Sequence, residues 1–224
     1  MKALFSLLLC IHLTLSAPVY RNDVERQIYC CAPNAEKKIA LTFDDGPHPQ
    51  YTMEILTVLR QYGVKATFFT IGENVQYYPD AFAAIEREGH EIGNHTFSHP
   101  HLQTQNAKSL TEELLHTEEL LSAEGQKRLR LFRPPEGVCS DTVCRVAAEM
   151  GYSIILWTVD TRDWDHTPAK TIVENVMHTV KSGDIILFHD YITSPSPTPD
   201  ALRQLIPALL RQGYQFVTVS ELIG

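Results

Sequence analysis

The alternation of short apolar runs with longer amphipathic stretches is the feature that most restricts how this chain can fold. The runs lie at residues 39–43, 66–71, 91–94, 131–133, 153–159, 184–189 and 215–219, and are rich in Ile, Val, Thr and Phe. Several are almost continuously apolar, as parallel strands covered on both faces are. Helical patterns lie between them, near residues 51–62, 79–88, 108–124, 141–150, 168–181 and 199–212. In the third of these, Leu114, Leu115, Leu120 and Leu121 mark one apolar face among glutamates. Strands alternating with helices build parallel β-α-β units. Seven of them in about 185 residues suit a single-domain α/β fold, a distorted (β/α)7-type barrel somewhat smaller than the eight-unit one. A doubly wound open sheet is the competing architecture.

Length and charge narrow the function. A chain of 224 residues with 44% hydrophobic residues can bury one core large enough to hold a rigid site. Its formal net charge is −8 with no basic block, so nucleic acid is not an expected partner. Lys2, an apolar run at 3–15, and then Ser16 and Ala17 read as a signal peptide over residues 1–17. That run is too short for a membrane span, which needs roughly 20 apolar residues. Export is therefore expected, to the medium or the cell envelope, with no stable span left after cleavage and a monomeric product. Residues 18–36 read as a polar arm or linker, and 37–224 as the catalytic domain. Cleavage leaves Cys30, Cys31, Cys139 and Cys144, which allow three disulfide pairings; Cys139 and Cys144 enclose a short turn-like segment.

Polar residues gather where the strands end. The first run leads into Asp44-Asp45-Gly46-Pro47, the third into His95-Thr96-Phe97-Ser98-His99, and the fourth into Arg133-Pro134-Pro135. The fifth leads into Asp160-Thr161-Arg162-Asp163-Trp164 and the sixth into His189-Asp190. Side chains converging from several strand ends are what a β/α-barrel site looks like, and this favours the barrel over the open sheet. Asp44 and Asp45 repel each other, so something positive must sit beside them; otherwise they only cap the following turn. His95 and His99 are four apart, and on a helical turn both rings would face one way. Two His and one Asp leave a fourth position open, the pattern of a catalytic zinc site. His48 and His101 receive no role.

These segments carry a family resemblance. The chain resembles the polysaccharide deacetylases, carbohydrate esterase family 4, over about residues 37–222. TFDDGP at 42–47, H-T-x-x-H at 95–99, R-P-P at 133–135, D-x-x-D-W at 160–164 and L-F-H at 187–189 all match, in order. The resemblance implies a metal-dependent hydrolase that removes N-acetyl groups from N-acetylglucosamine in a cell-wall-type polysaccharide, peptidoglycan first and chitin oligosaccharides second. It implies that Asp45, His95 and His99 bind a divalent metal, Zn²⁺ ahead of Co²⁺ or Mn²⁺. It makes Asp44 the general base, held ionised by Arg133, and His189 the general acid, oriented by Asp163. A backbone N–H just after Pro135 would support the oxyanion, and Trp164 and Leu187 would wall the acetyl methyl. Glu136 departs from the family, which commonly has an aromatic residue there. That change bears on substrate choice. A non-catalytic carbohydrate-binding relative and a barrel amidohydrolase for small amides are the readings of other classes.

Overall fold

Side chains alternate across a strand, and in this protein the alternation separates an outer core from an inner one. The computed structural model describes residues 28–33, 35–121, 130–193 and 195–224; the signal segment read at 1–17 lies outside them. The elements run β1 (Ile28–Tyr29), β2 (Lys38–Asp44), α1 (Tyr51–Tyr62), β3 (Thr67–Thr70), α2 (Gly72–Tyr77), α3 (Pro79–Arg87), β4 (Glu91–Asn94), α4 (Ala107–Leu121) and β5 (Leu131–Phe132). They continue with α5 (Asp141–Glu149), β6 (Ser153–Ile155), β7 (Val159–Asp160), α6 (Ala169–Thr179), β8 (Ile185–His189), α7 (Thr198–Arg211), β9 (Gln215–Phe216) and α8 (Val219–Ile223). The strand order is β1-β6-β5-β4-β3-β2-β8-β7, with β9 added to β2. All these pairs are parallel. The result is the distorted (β/α)7-type barrel expected.

Ile39, Leu41 and Phe43 of β2 face outward with Phe68, Ile186 and Phe188, and pack under α1, α6 and α7. Ala40, Phe69, Leu131, Ile155 and Ile185 face inward and form the floor of the barrel. Gly93 is required beside that floor, because a Cβ there would lie 2.5 Å from the Phe69 ring. Val219 and Leu222 of α8 join the same cluster and plug the barrel from below. Burying such a side chain is worth roughly 1.5–3 kcal/mol. A capping box of Thr218 and Glu221 starts α8, and the Val219 N–H donates to Thr67 Oγ1 at 2.9 Å.

Three readings of the sequence are corrected and one element is added. The apolar run at 153–159 is two strands: β6 pairs with β5, and β7 pairs with β8. One short stretch of chain thus supplies the edge strand β7 and, at the other end of the sheet, the strand next to the β1 edge, and residues 156–158 cross the seam between them. The polar arm is not wholly irregular, since β1 extends β6 and the Ala32 N–H then donates to the Gly183 carbonyl at 2.8 Å, next to β8. The last strand stops at Phe216, and Val219 opens a helix. Helix α2, too short to show an apolar period, was not foreseen. Among the described residues no helix is long and apolar enough to cross a membrane.

Candidate active site

The inward register that puts Ala40 in the floor also turns Thr42 and Asp44 into the barrel, higher up. Leu131 is followed in the same way by Arg133, and Ile185 by Leu187 and His189. A polar layer therefore sits on the apolar floor, at the C-terminal ends of the strands.

Arg133, fully buried, reaches across the lumen. Its Nη1 donates to Asp44 Oδ1 and Thr42 Oγ1, both at 2.8 Å. Nε and Nη2 donate to the carbonyls of Ile155 and Leu156, both at 3.1 Å, and its guanidinium lies 4.2 Å from the centre of the Phe69 ring. Every face of the cation has a partner, which is what makes burial of a guanidinium tolerable. Asp44 Oδ1 is committed to Arg133, so Oδ2 is the atom left to face the site.

Asp45, His95 and His99 converge beside it. One ligand atom from each lies within 4.8 Å of the others. His95 Nε2 is 3.3 Å and His99 Nε2 3.4 Å from Asp45 Oδ1. The His95 Nδ1 contacts the Arg133 carbonyl oxygen at 2.6 Å; a carbonyl only accepts, so Nδ1 carries a hydrogen, and it is Nε2 that offers a lone pair whenever the ring is neutral. Asp45 Oδ1 is buried and accepts no hydrogen bond. The carboxylate oxygen and the His95 Nε2 thus face each other across 3.3 Å. The electrostatics agree. Burial disfavours charge on His95, but Asp44 and then Asp45 outweigh it and raise its proton affinity. Burial likewise opposes the Asp45 carboxylate, and His95, His189 and His99 overcome it and hold its pKa down. The triangle favours one positive charge at its centre, and its donor set of one carboxylate and two imidazoles fits a divalent cation.

The two rings do not meet by a helical turn, as their spacing suggested. Residues 95–99 are a loop in which Thr96 (φ 70°) and His99 (φ 51°) take left-handed backbone, as does Asp45 (φ 74°). Glu113 of α4 holds this loop, accepting from the N–H groups of Phe97 and Ser98 at 2.9 and 2.8 Å. Glu136, Arg162 and His166 are left-handed as well, so among the described residues six of the seven such non-glycine positions lie in strand-end loops. Backbone of this kind is costly and collects at functional sites.

His189 and Asp163 form the third group. Asp163 is fully buried and accepts from His189 Nδ1 and from the His189 N–H, each at 2.8 Å. It also accepts from Thr198 Oγ1 at 2.6 Å and the Trp164 N–H at 3.0 Å. Burial lowers the pKa of His189, but the Asp163 hydrogen bond and charge, then Asp45 and Asp44, push it up to about 9. With Nδ1 bound to Asp163, Nε2–H is the proton that faces the site.

Of the remaining candidates, Pro135 is buried and begins a short 3-10 turn with Glu136. The Glu136 carboxylate is half exposed and lies 3.3 Å from His101 Nδ1. Trp164 is 48% exposed, with the Arg162 guanidinium 5.5 Å from its ring centre, so it is a surface wall and not core. Leu187 is buried directly below His189, in register with Thr42 and Asp160. Asn94 donates from Nδ2 to the Leu114 carbonyl and the Tyr152 hydroxyl. Asp190, given no role from sequence, accepts from the Gly46 N–H at 3.0 Å and from the Thr52 hydroxyl. A Cβ on Gly46 would fall 2.1 Å from Asp190 Oδ2. Asp190 thereby fixes the turn that follows Asp45, a contact across more than a hundred residues that no local pattern announces.

Carboxylates and imidazoles gathered over the strand C-termini of a β/α barrel are the layout of a barrel enzyme. The family model described as polysaccharide deacetylase matches residues 32–155. A peptidoglycan-N-acetylglucosamine deacetylase of Bacillus cereus is 45% identical over 193 residues, covering 85% of this chain and 90% of its own length. The crystal structure of a peptidoglycan N-acetylglucosamine deacetylase in complex with 4-naphthalen-1-yl-N-oxidanyl-benzamide superposes with a TM-score of 0.84 at 37% identity, covering 88% of this chain and 92% of that one. A family 4 acetyl xylan esterase from Clostridium thermocellum, solved with a cobalt ion, matches with a TM-score of 0.76 at 33% identity, covering 83% and 89%. The chain belongs to the polysaccharide deacetylase family, carbohydrate esterase family 4, and is a polysaccharide N-deacetylase.

Proposed function

We propose that this protein removes N-acetyl groups from N-acetylglucosamine residues of peptidoglycan, using a divalent cation held by Asp45, His95 and His99. The observation that carries the reading is the buried Asp45 Oδ1, faced by two imidazole nitrogens and accepting no hydrogen bond. The 45% identity to a peptidoglycan deacetylase over most of both chains supports the polymer. Zn²⁺ suits two imidazoles and a carboxylate, and Co²⁺ or Mn²⁺ fits the same ligands. The cation supplies Lewis acidity, polarising a carbonyl and making water more acidic. Asp44, pinned by Arg133 through Oδ1, takes the proton of the attacking water on Oδ2. The N–H of Glu136 donates to the oxygen on which negative charge develops. His189 then gives its Nε2 proton to the departing amine, and Asp163 stabilises the charge His189 carries before that step. Trp164 and Leu187 bound the acetyl methyl. The reading places the protein outside the cell or in its envelope, acting as a monomer.

The test is acetate release, followed by mass spectrometry of peptidoglycan fragments beside chitin oligomers, with and without a chelator. Loss of one acetyl mass per N-acetylglucosamine from the peptidoglycan fragments, abolished by the chelator, is expected. Faster release from chitin oligomers would reassign the polymer. Turnover untouched by exhaustive chelation would overturn the metal.

A further inference from the structure

Ser140 is the N-cap of α5: its backbone is extended (φ −67°, ψ 162°), and its side chain accepts from the Val143 N–H at 3.3 Å. The residue before the cap is Cys139, and the fourth residue of the helix is Cys144. Side chains in those two places pack on one another and fix how the chain enters a helix. Here both are cysteines. Cys144 is buried with Leu110, Leu114 and Phe132, and Val138 packs on the same cluster. The segment leading to them is the one that matters for the site: the Val138 N–H donates to the Pro135 carbonyl at 3.2 Å, and a Cβ on Gly137 would lie 2.9 Å from the Trp157 ring.

We propose that Cys139 and Cys144 form a disulfide, which makes this helix-entry contact covalent and ties the Pro135–Glu136 turn to α5. The two thiols lose two protons and two electrons in forming the S–S bond. The oxidant is a second disulfide, either that of a small thiol, which leaves as two thiol molecules, or that of a thiol–disulfide exchange protein, which leaves as a dithiol. Burial, then the adjoining Cys144 thiol, push the Cys139 thiol up to about 11. A thiol that resists ionisation leaves the reduced pair without thiolate stabilisation, which favours the oxidised form. Cys30 is also near enough to act on Cys139, so it is the competing partner. The pairing does not depend on the catalytic reading, and its readouts are independent of activity.

The experiment equilibrates the full chain with glutathione and its disulfide, blocks free thiols by alkylation, and maps tryptic peptides. The peptide 131–145 contains both cysteines and no other. Unalkylated and lighter by two hydrogens is the expected result. Reduction should lower Tm by about 4–9 °C, from the chain entropy of a six-residue loop in a domain this size. Cys144→Ser should abolish that response to reductant, and Cys30→Ser should keep it. Full alkylation of both cysteines, or a cross-link from this peptide to the one carrying Cys30 and Cys31, would overturn the assignment.

Discussion

Replacing Asp163 with Asn tests the role proposed for His189 as the acid. The substitution keeps size and shape but removes the charge, and it turns one of two accepting oxygens into a donor. Both oxygens are in use, by His189 Nδ1 and the Trp164 N–H on one side and by the His189 N–H and Thr198 on the other. The distance between about 9 and the ordinary 6.5 of His189 corresponds to roughly 3 kcal/mol favouring the charged ring. After burial, which opposes the charge, the Asp163 hydrogen bond and charge are the leading causes. A cation bound beside Asp45, as proposed, would offset the Asp45 and Asp44 contributions but leave that share intact. Without Asp163, burial is unopposed on that side, and the His189 pKa should fall by roughly 1–2 units. The basic limb of the kcat/KM profile should move down by the same amount. At about pH 9, where half of the wild-type rings keep the proton, kcat/KM should drop by about 5–50-fold. Stability reports the same linkage. A histidine whose folded pKa is raised contributes stability that is fully present below its unfolded value of 6.5 and lost as pH rises through about 9. The wild type should therefore lose stability over that window relative to the variant. The assay is acetate release from acetylated oligosaccharide between pH 5 and about 10, with thermal melts at each pH. A folded variant whose basic limb stays where the wild type's lies would refute the account.

Two further outcomes are specific to this geometry. Arg133→Met should cost roughly 3–5 kcal/mol in urea denaturation, because it strands the buried Asp44 carboxylate; a loss below about 1 kcal/mol would mean that water reaches Asp44 freely. His99→Ala should weaken Zn²⁺ binding, read by calorimetry, by more than the 10–100-fold that disturbing an outer partner of a metal ligand costs. Unchanged affinity in that variant would remove His99 from the ligand set.

Much of the site was legible because period-2 alternation carries side chains to one face whatever the strands pair with. Asp44, Arg133 and His189 could be placed inside the barrel from the runs that precede them. What local patterns hide is pairing. The run at 153–159 reads as one strand, since its composition is uniform, yet its two ends bond to different neighbours. His95 and His99 sit at helical spacing but are brought together by left-handed residues and by Glu113, sixteen residues beyond Phe97. Asp190 reads as the tail of a strand; its role appears only when Gly46 and Thr52 arrive from the other end of the chain.

The seam between β6 and β7 gives Arg133 a second consequence. A barrel short of its eighth unit is an arch more than a ring, and its keystone is this one guanidinium. It grips the chain where it crosses the opening, at Ile155 and Leu156, and with its remaining arm grips Asp44 on the far wall. Withdrawing it would let the wall spread and the carboxylate drift in the same movement. The scaffold and the proposed base therefore hang on one side chain and should fail together.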